Sequence, residues 1–314
     1  MTTSEMTGSN STTILQANRM NSVYAGGHKA TDVLKAGQWK GQRCFILGGG
    51  ESLKGFDFSL LRGEKVIAVN RAFESYPNAD IWYAMDVALY NSMRSGVLSE
   101  GEKYDVYKLW QEFQGIKMFL CPINYYKFYD KIHYVRRNTK AVVSNDLNQG
   151  IHGGNNSGFG ALMLALTLRA NPIFLLGYDL KIRETTHYHS GYPKQDKEAL
   201  AKKLVVFTEQ FEKFKDEYPK DTRIINLCLD SALECFPKDH ICNVFRSRIE
   251  AMFVAQGRAC IDVQTLDALI HEYKGLYCNM VTRGKNIMEM FDKLLSEMEI
   301  HEEQKTKEVQ NANL

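Results

Sequence analysis

The sequence predicts an α/β fold: a mostly parallel sheet with helices on both faces, followed by a helical carboxyl-terminal region. Three observations carry that expectation. Short apolar runs recur, helical patterns lie between them, and glycine- or asparagine-bearing turns close the runs. A strand covered on both faces meets no water on either side of its pleat, so its residues read as continuous apolar runs rather than alternating ones.

In chain order, the expected strands are "RCFILGG" from Arg43, "EKVIAVN" from Glu64, "ADIWYAMD" from Ala79, "GIKMFLC" from Gly115, "NPIFLLGYD" from Asn171 and "TRIINLC" from Thr222. "GFGALMLALTLRA", Gly158 to Ala170, is a helix whose small and large apolar residues suit burial on more than one side. Strands separated by helices over residues 39–238 make a Rossmann-like nucleotide-binding domain. Residues 1–38, rich in Ser, Thr and Asn, are expected to form a flexible tail, residues 239–300 a helical appendage and residues 301–314 a charged, solvated end. In the appendage, Leu266, Leu269, Ile270, Tyr273, Leu276, Tyr277 and Met280, then Ile287, Phe291, Leu294 and Met298, form an amphipathic stripe. Such a stripe packs on the domain or on a second copy of the chain.

The 314 residues, 44% hydrophobic, suffice for one catalytic-sized domain with an appendage. A formal net charge of +2 gives little global attraction for nucleic acid, so no nucleic-acid partner is expected. Seven cysteines without a CxxC pair suit free thiols, and the first residues lack a signal-peptide pattern. No apolar run approaches bilayer length. A cytoplasmic protein is the expectation.

Candidate ligand residues gather where a parallel sheet would present its carboxyl ends. Gly48, Gly49 and Gly50, followed by Ser52, form either a tight turn or a turn whose backbone a phosphate approaches. The spacing is neither GxGxxG nor the Walker pattern, which removes support from hydride transfer and P-loop chemistry. Asn70 and Arg71 follow the second strand, where an asparagine reads a base or ribose and an arginine meets a phosphate. Asp86 ends the third strand and suits a ribose hydroxyl or a magnesium ion. "HGGNNSGFG" opens the long helix, with Asn155, Asn156, Ser157 and Gly158 as helix caps or as a second anion cradle. Asp179 closes the fifth strand, and a polar loop follows with His187, Tyr188, His189 and Tyr192. On an extended chain His187 and His189 point in opposite directions, which favours one acid or base over a shared metal. The tyrosines would touch a departing phosphate or pack at the site mouth.

Over residues 42–238 the chain resembles two families. "FILGGGESLKGFDFSLL", "NSGFGALMLALTLRANPIFLLGYDL", "THYHSGYPKQDKEAL" and "INLCLDSALECF" resemble blocks of the bacterial lipooligosaccharide sialyltransferases. That resemblance implies a sugar transferred from a nucleotide-sugar donor, such as a CMP-sugar, to an acceptor hydroxyl without a metal. It makes His187 the general base and Gly48, Gly50, Ser52, Asn70, Ser157 and Gly158 nucleotide-site residues. The G-x-G-x-S-L turn, Asp86, "HGGN" and "NPIFLLGYDL" also resemble the domain related to 6-hydroxymethylpterin diphosphokinase. This second resemblance implies ATP with magnesium and places Asp86 on the metal. A third reading is a non-catalytic nucleotide-sensing or scaffold protein with the carboxyl-terminal helices as partner surface. For a histidine base, the rate is expected to fall below a pKa near 6 to 7.

Overall fold

A computed structural model of the chain describes residues 28–120, 130–140, 142–192 and 196–255. The architecture is α/β and Rossmann-like. Eight strands, β1 (His28–Lys29), β2 (Cys44–Leu47), β3 (Lys65–Val69), β4 (Ile81–Ala84), β5 (Ile116–Leu120), β6 (His133–Val135), β7 (Ile173–Leu176) and β8 (Ile224–Asn226), form one sheet. Every pairing is parallel, in the order β1-β6-β5-β4-β3-β2-β7-β8. All six expected strands are present. The two added ones are β1 and β6, whose two and three residues are too short to carry a pattern.

Strand parity divides the core. Cys44, Ile46, Ile67, Val69, Ile81, Tyr83, Met118, Leu120, Ile173 and Leu175 face one side, with helix α3 (Ser157–Thr167) and Phe211 of α4 (Lys197–Lys213). Phe45, Leu47, Val66, Ala68, Trp82, Ala84, Phe119, Phe174 and Leu176 face the other, with α1 (Val87–Arg94), α2 (Val106–Glu112) and α5 (Ile241–Ala255). This two-sided burial is why the runs do not alternate. Of the eleven residues of α3 only Gly158 is not buried, so the helix is apolar around its whole circumference.

The domain is wider than its sequence pattern. Residues 28–38, assigned to the tail, belong to the fold: His28–Lys29 pairs with β6, and Ala30 and Leu34 are buried in the core. Beyond residue 238, α5 docks through Ile241, Cys242 and Phe245, and Phe245 stacks on Phe45 at 5.1 Å. Arg248 donates to the carbonyl of Arg62 at 2.9 Å, to that of Leu60 and to the Glu64 carboxylate. The amphipathic stripe from Leu266 to Met298 and the charged end lie outside the described residues.

Alpha-3 crosses β4 at Gly160, where a Cβ would lie 2.2 Å from the Tyr83 hydroxyl. That hydroxyl is fully buried and has no hydrogen-bond partner among the described residues. Gly160→Ala is expected to destabilise the fold by about 1–3 kcal/mol through overpacking. Tyr83→Phe alone is expected to be near neutral or stabilising, because it deletes an unpaired polar group. In the double variant, part of the Gly160→Ala loss should return. Urea denaturation of the four proteins checks this, and strict additivity would refute the contact.

Candidate functional site

Strand order reverses between β2 and β7: the chain runs outward from β2 through β3, β4, β5 and β6, then returns on the other side of β2 to β7 and β8. In open parallel sheets a ligand crevice lies outside the carboxyl ends at such a point. Here the two strand ends are bonded to each other. Gly48 donates its N–H to Leu176 O (2.7 Å) and Gly50 to Gly177 O (2.9 Å). Ser52 donates to the Asp179 carboxylate through its backbone N–H (2.8 Å) and its hydroxyl (2.5 Å), and Arg183 Nε lies 3.6 Å from the same group. Asp179 is buried, which raises its pKa, while the two Ser52 hydrogen bonds and the Arg183 charge oppose the rise.

These bonds favour the tight-turn alternative for Gly48 and Gly50. A Cβ on Gly48 would lie 2.5 Å from Gly177 O, and one on Gly50 would lie 2.1 Å from Asp179 Oδ1. Glycine is required at both positions by the protein's own packing, and both amides are committed. Ser52 and Asp179 likewise serve each other. Gly49 differs: its bare Cα faces the histidine loop, with His187 Cδ2 3.0 Å and His189 Nε2 3.6 Å from where a Cβ would stand.

The loop that carries those histidines is folded over the turn, not extended. Tyr188 N–H donates to Gly49 O at 3.3 Å. The rings of His187 and His189 stack at 4.8 Å instead of pointing apart, and Tyr192 meets them edge-on at 5.1 and 5.6 Å. Tyr188 packs on the core beside Phe58. His189 Nδ1 accepts the Gly191 N–H at 3.0 Å, so the neutral ring carries its proton on Nε2. His187 Nδ1 is buried with no partner among the described residues. Burial first, then the charge of Arg71, lowers His187 to about 4. His189 is lowered well below the usual range by burial, His187 and Arg71.

Arg71 is not a free phosphate ligand. At 2% exposure it bonds Glu74 through Nε (2.6 Å) and a terminal nitrogen (2.8 Å), Glu102 (2.8 Å), Ser190 Oγ (3.0 Å) and Gly191 O (2.5 Å). Burial opposes its charge, but the two carboxylates outweigh that and raise its pKa. The arginine therefore holds the histidine loop against the segment after β3. Its neighbour Asn70 has a left-handed backbone (φ 54°), and its buried side-chain Oδ1 is unpaired among the described residues. Asparagine is among the residues that most readily adopt this conformation.

The opening of α3 reaches the same edge, as the Tyr178 hydroxyl, just past β7, donates to Gly158 O at 3.0 Å. Asn156 caps the helix by accepting the Phe159 N–H at 2.7 Å, and its Nδ2 is buried and unpaired among the described residues. Ser157 is buried, Gly158 lies against Tyr178, and Asn155 is exposed. Asp86 is exposed and caps α1 by accepting the Ala88 N–H at 2.8 Å. Among the described residues, no group of three or more His, Cys, Asp or Glu side chains that could hold a metal is assembled. Arg137 was not singled out from the sequence. It follows the three-residue strand β6, and the only signal was the Arg pair in "HYVRRN".

No family model and no curated protein matches the chain. Among solved structures, a MAf glycosyltransferase from Magnetospirillum magneticum AMB-1 is similar at 12% identity with a TM-score of 0.45. The alignment covers 76% of this chain and 42% of that one, so the chain spans less than half the length of this neighbour.

Proposed function

We propose that the chain is a glycosyltransferase that moves a sugar from a nucleotide-sugar donor to an acceptor hydroxyl, with His187 as general base. One observation carries the reading: a neutral imidazole with an unpaired Nδ1 is held over the bare backbone of Gly49 at the point where strand order reverses. A base must be unprotonated to accept a proton; burial with Arg71 nearby keeps His187 in that form, and the same shift makes it a weaker base than a free imidazole. The departing nucleotide gains negative charge on its phosphate, which the amides opening α3 would offset. Asn70 Oδ1, an acceptor without a donor, suits a ribose hydroxyl or the exocyclic amine of a base.

His187→Ala is expected to lower turnover by about 10²–10⁴ while donor binding persists, the contribution typical of a general base. His189→Ala is expected to be milder in the chemical step, although loss of the stacked ring should loosen the loop and raise KM. Single-turnover rates at saturating nucleotide-sugar check both, and a His187→Ala enzyme with most of its turnover refutes the assignment. Chelator should leave the wild-type rate unchanged. Loss of activity with chelator and recovery with magnesium would favour the ATP-dependent diphosphokinase reading.

The pH profile moves accordingly. With His187 lowered to about 4, kcat/KM is expected to stay level down to about pH 5 and fall as pH approaches 4, not near 6 to 7. Stability follows the same sign. Both histidines are neutral when folded and protonate more readily when unfolded, so their contribution is present above about pH 6.5 and is lost as pH falls through the folded values. Melting curves from pH 7.5 to 4 check this, with a smaller acid loss expected in the His187→Ala, His189→Ala double variant.

A further inference from the structure

Arg137 stands just past the carboxyl end of β6, next to the residue whose carbonyl accepts the Ile151 N–H. Its Nε is buried without a hydrogen-bond partner, and no carboxylate pairs with its guanidinium among the described residues. The side chain lies against Gly153: a Cβ there would stand 3.4 Å from both Nε and a terminal nitrogen. The buried Nε–H of this partly buried guanidinium is donor capacity that no described residue uses.

The chain that continues from Gly153 into the opening of α3 also carries unused donors. Asn156 Nδ2 is buried and unpaired among the described residues. The amides of Ser157 and Gly158 begin α3 ahead of any intrahelical acceptor. Beneath the same turn the Tyr83 hydroxyl, at 0% exposure and without a partner among the described residues, is aimed at Gly160. Arg137 is near enough to lower the pKa of His152 and to temper the burial-driven rise of Tyr83. Glu217 acts on His152 in the opposite sense and Lys213 in the same sense. Arg137, which comes from the end of β6, is independent of the helix terminus, and its unbonded Nε–H asks for an acceptor.

We propose that Arg137, Asn156 and the first turn of α3 form a subsite for an anionic group, a phosphate or a carboxylate, of the substrate bound at this sheet edge. A planar oxyanion or phosphoryl group meets the arginine fork on one side and the helix amides on the other. The subsite rests on the transferase reading only for the statement that substrate binds here.

The test titrates inorganic phosphate, and separately acetate, into the isotopically labelled full chain at constant ionic strength set with chloride. The expected result is saturable movement of the His152 ring and Gly153–Gly158 amide resonances with one or both anions. The anion with the lower midpoint identifies a phosphoryl or a carboxylate ligand. Arg137→Met is expected to weaken that midpoint by about tenfold or more, as loss of a charge-assisted bond does. Arg137→Lys, which keeps the charge and loses the fork, should fall between, and it preserves the test if the methionine variant does not fold. Absence of saturation with either anion, or an unchanged midpoint in the variants, overturns the subsite. The Gly49 and His187 resonances are followed in the same spectra. A response there that survives Arg137→Met leaves the transferase reading standing when the subsite fails, whereas failure of His187→Ala to slow turnover leaves the subsite standing.

Discussion

The buried Asp179 carboxylate is the constraint on which the candidate site depends. It lies at the reversal of strand order, where two parallel strands diverge into opposite halves of the sheet and their end loops have no strand between them. By accepting both Ser52 hydrogens it ties the loop after β2 to the loop after β7. Burying an anion is costly unless it is well bonded, so the arrangement tolerates little displacement. The glycine turn is shaped by that closure. Gly48 and Gly50 are bare because protein atoms stand where their side chains would go, which leaves Gly49 as the member of the turn that faces the histidine loop.

The second determinant is a buried cation that its neighbours satisfy internally. Arg71 spends its donors on Glu74, Glu102 and the Ser190–Gly191 backbone and hydroxyl, so it contributes position, not a free charge. Its field still reaches the two histidines, where it adds to burial in disfavouring protonation. The neutral imidazoles follow first from burial and then from this side chain, which also anchors their loop. The tyrosines of the loop complete the packing: Tyr192 closes on both rings, and Tyr188 fills the core edge near Phe58.

The two ends of the candidate site differ in hydrogen-bond balance. At Asp179 the carboxylate accepts both Ser52 hydrogens, with Arg183 Nε 3.6 Å away, and the region reads as structure. Around α3 and Arg137 the side-chain nitrogens Arg137 Nε and Asn156 Nδ2 are unbonded among the described residues, and at Asn70 the acceptor Oδ1 is. Buried polar groups in folded proteins are nearly always paired, and atoms unpaired among the described residues occur at this edge and also away from it, at Trp110 and His133.

The sequence by itself determined the sheet and its two-sided burial. Six continuous apolar runs and one helix apolar on every side leave few other ways to keep those residues from water, and the glycine and asparagine turns mark where strands end. Very short strands escaped it. Beta-1 and β6 are held by pairing and by the cover around Ala30 and Leu34, and neither is long enough to show a period. With β6 went Arg137, which looked like any surface cation. The roles of the site residues were decided by tertiary structure, because they depend on atoms distant in sequence. Whether Gly50 faces a phosphate or a carboxylate is settled by residue 179, and whether Arg71 is free by residues 102, 190 and 191. His187 and His189 stack because their loop folds back on Gly49, a long-range contact that no local spacing encodes.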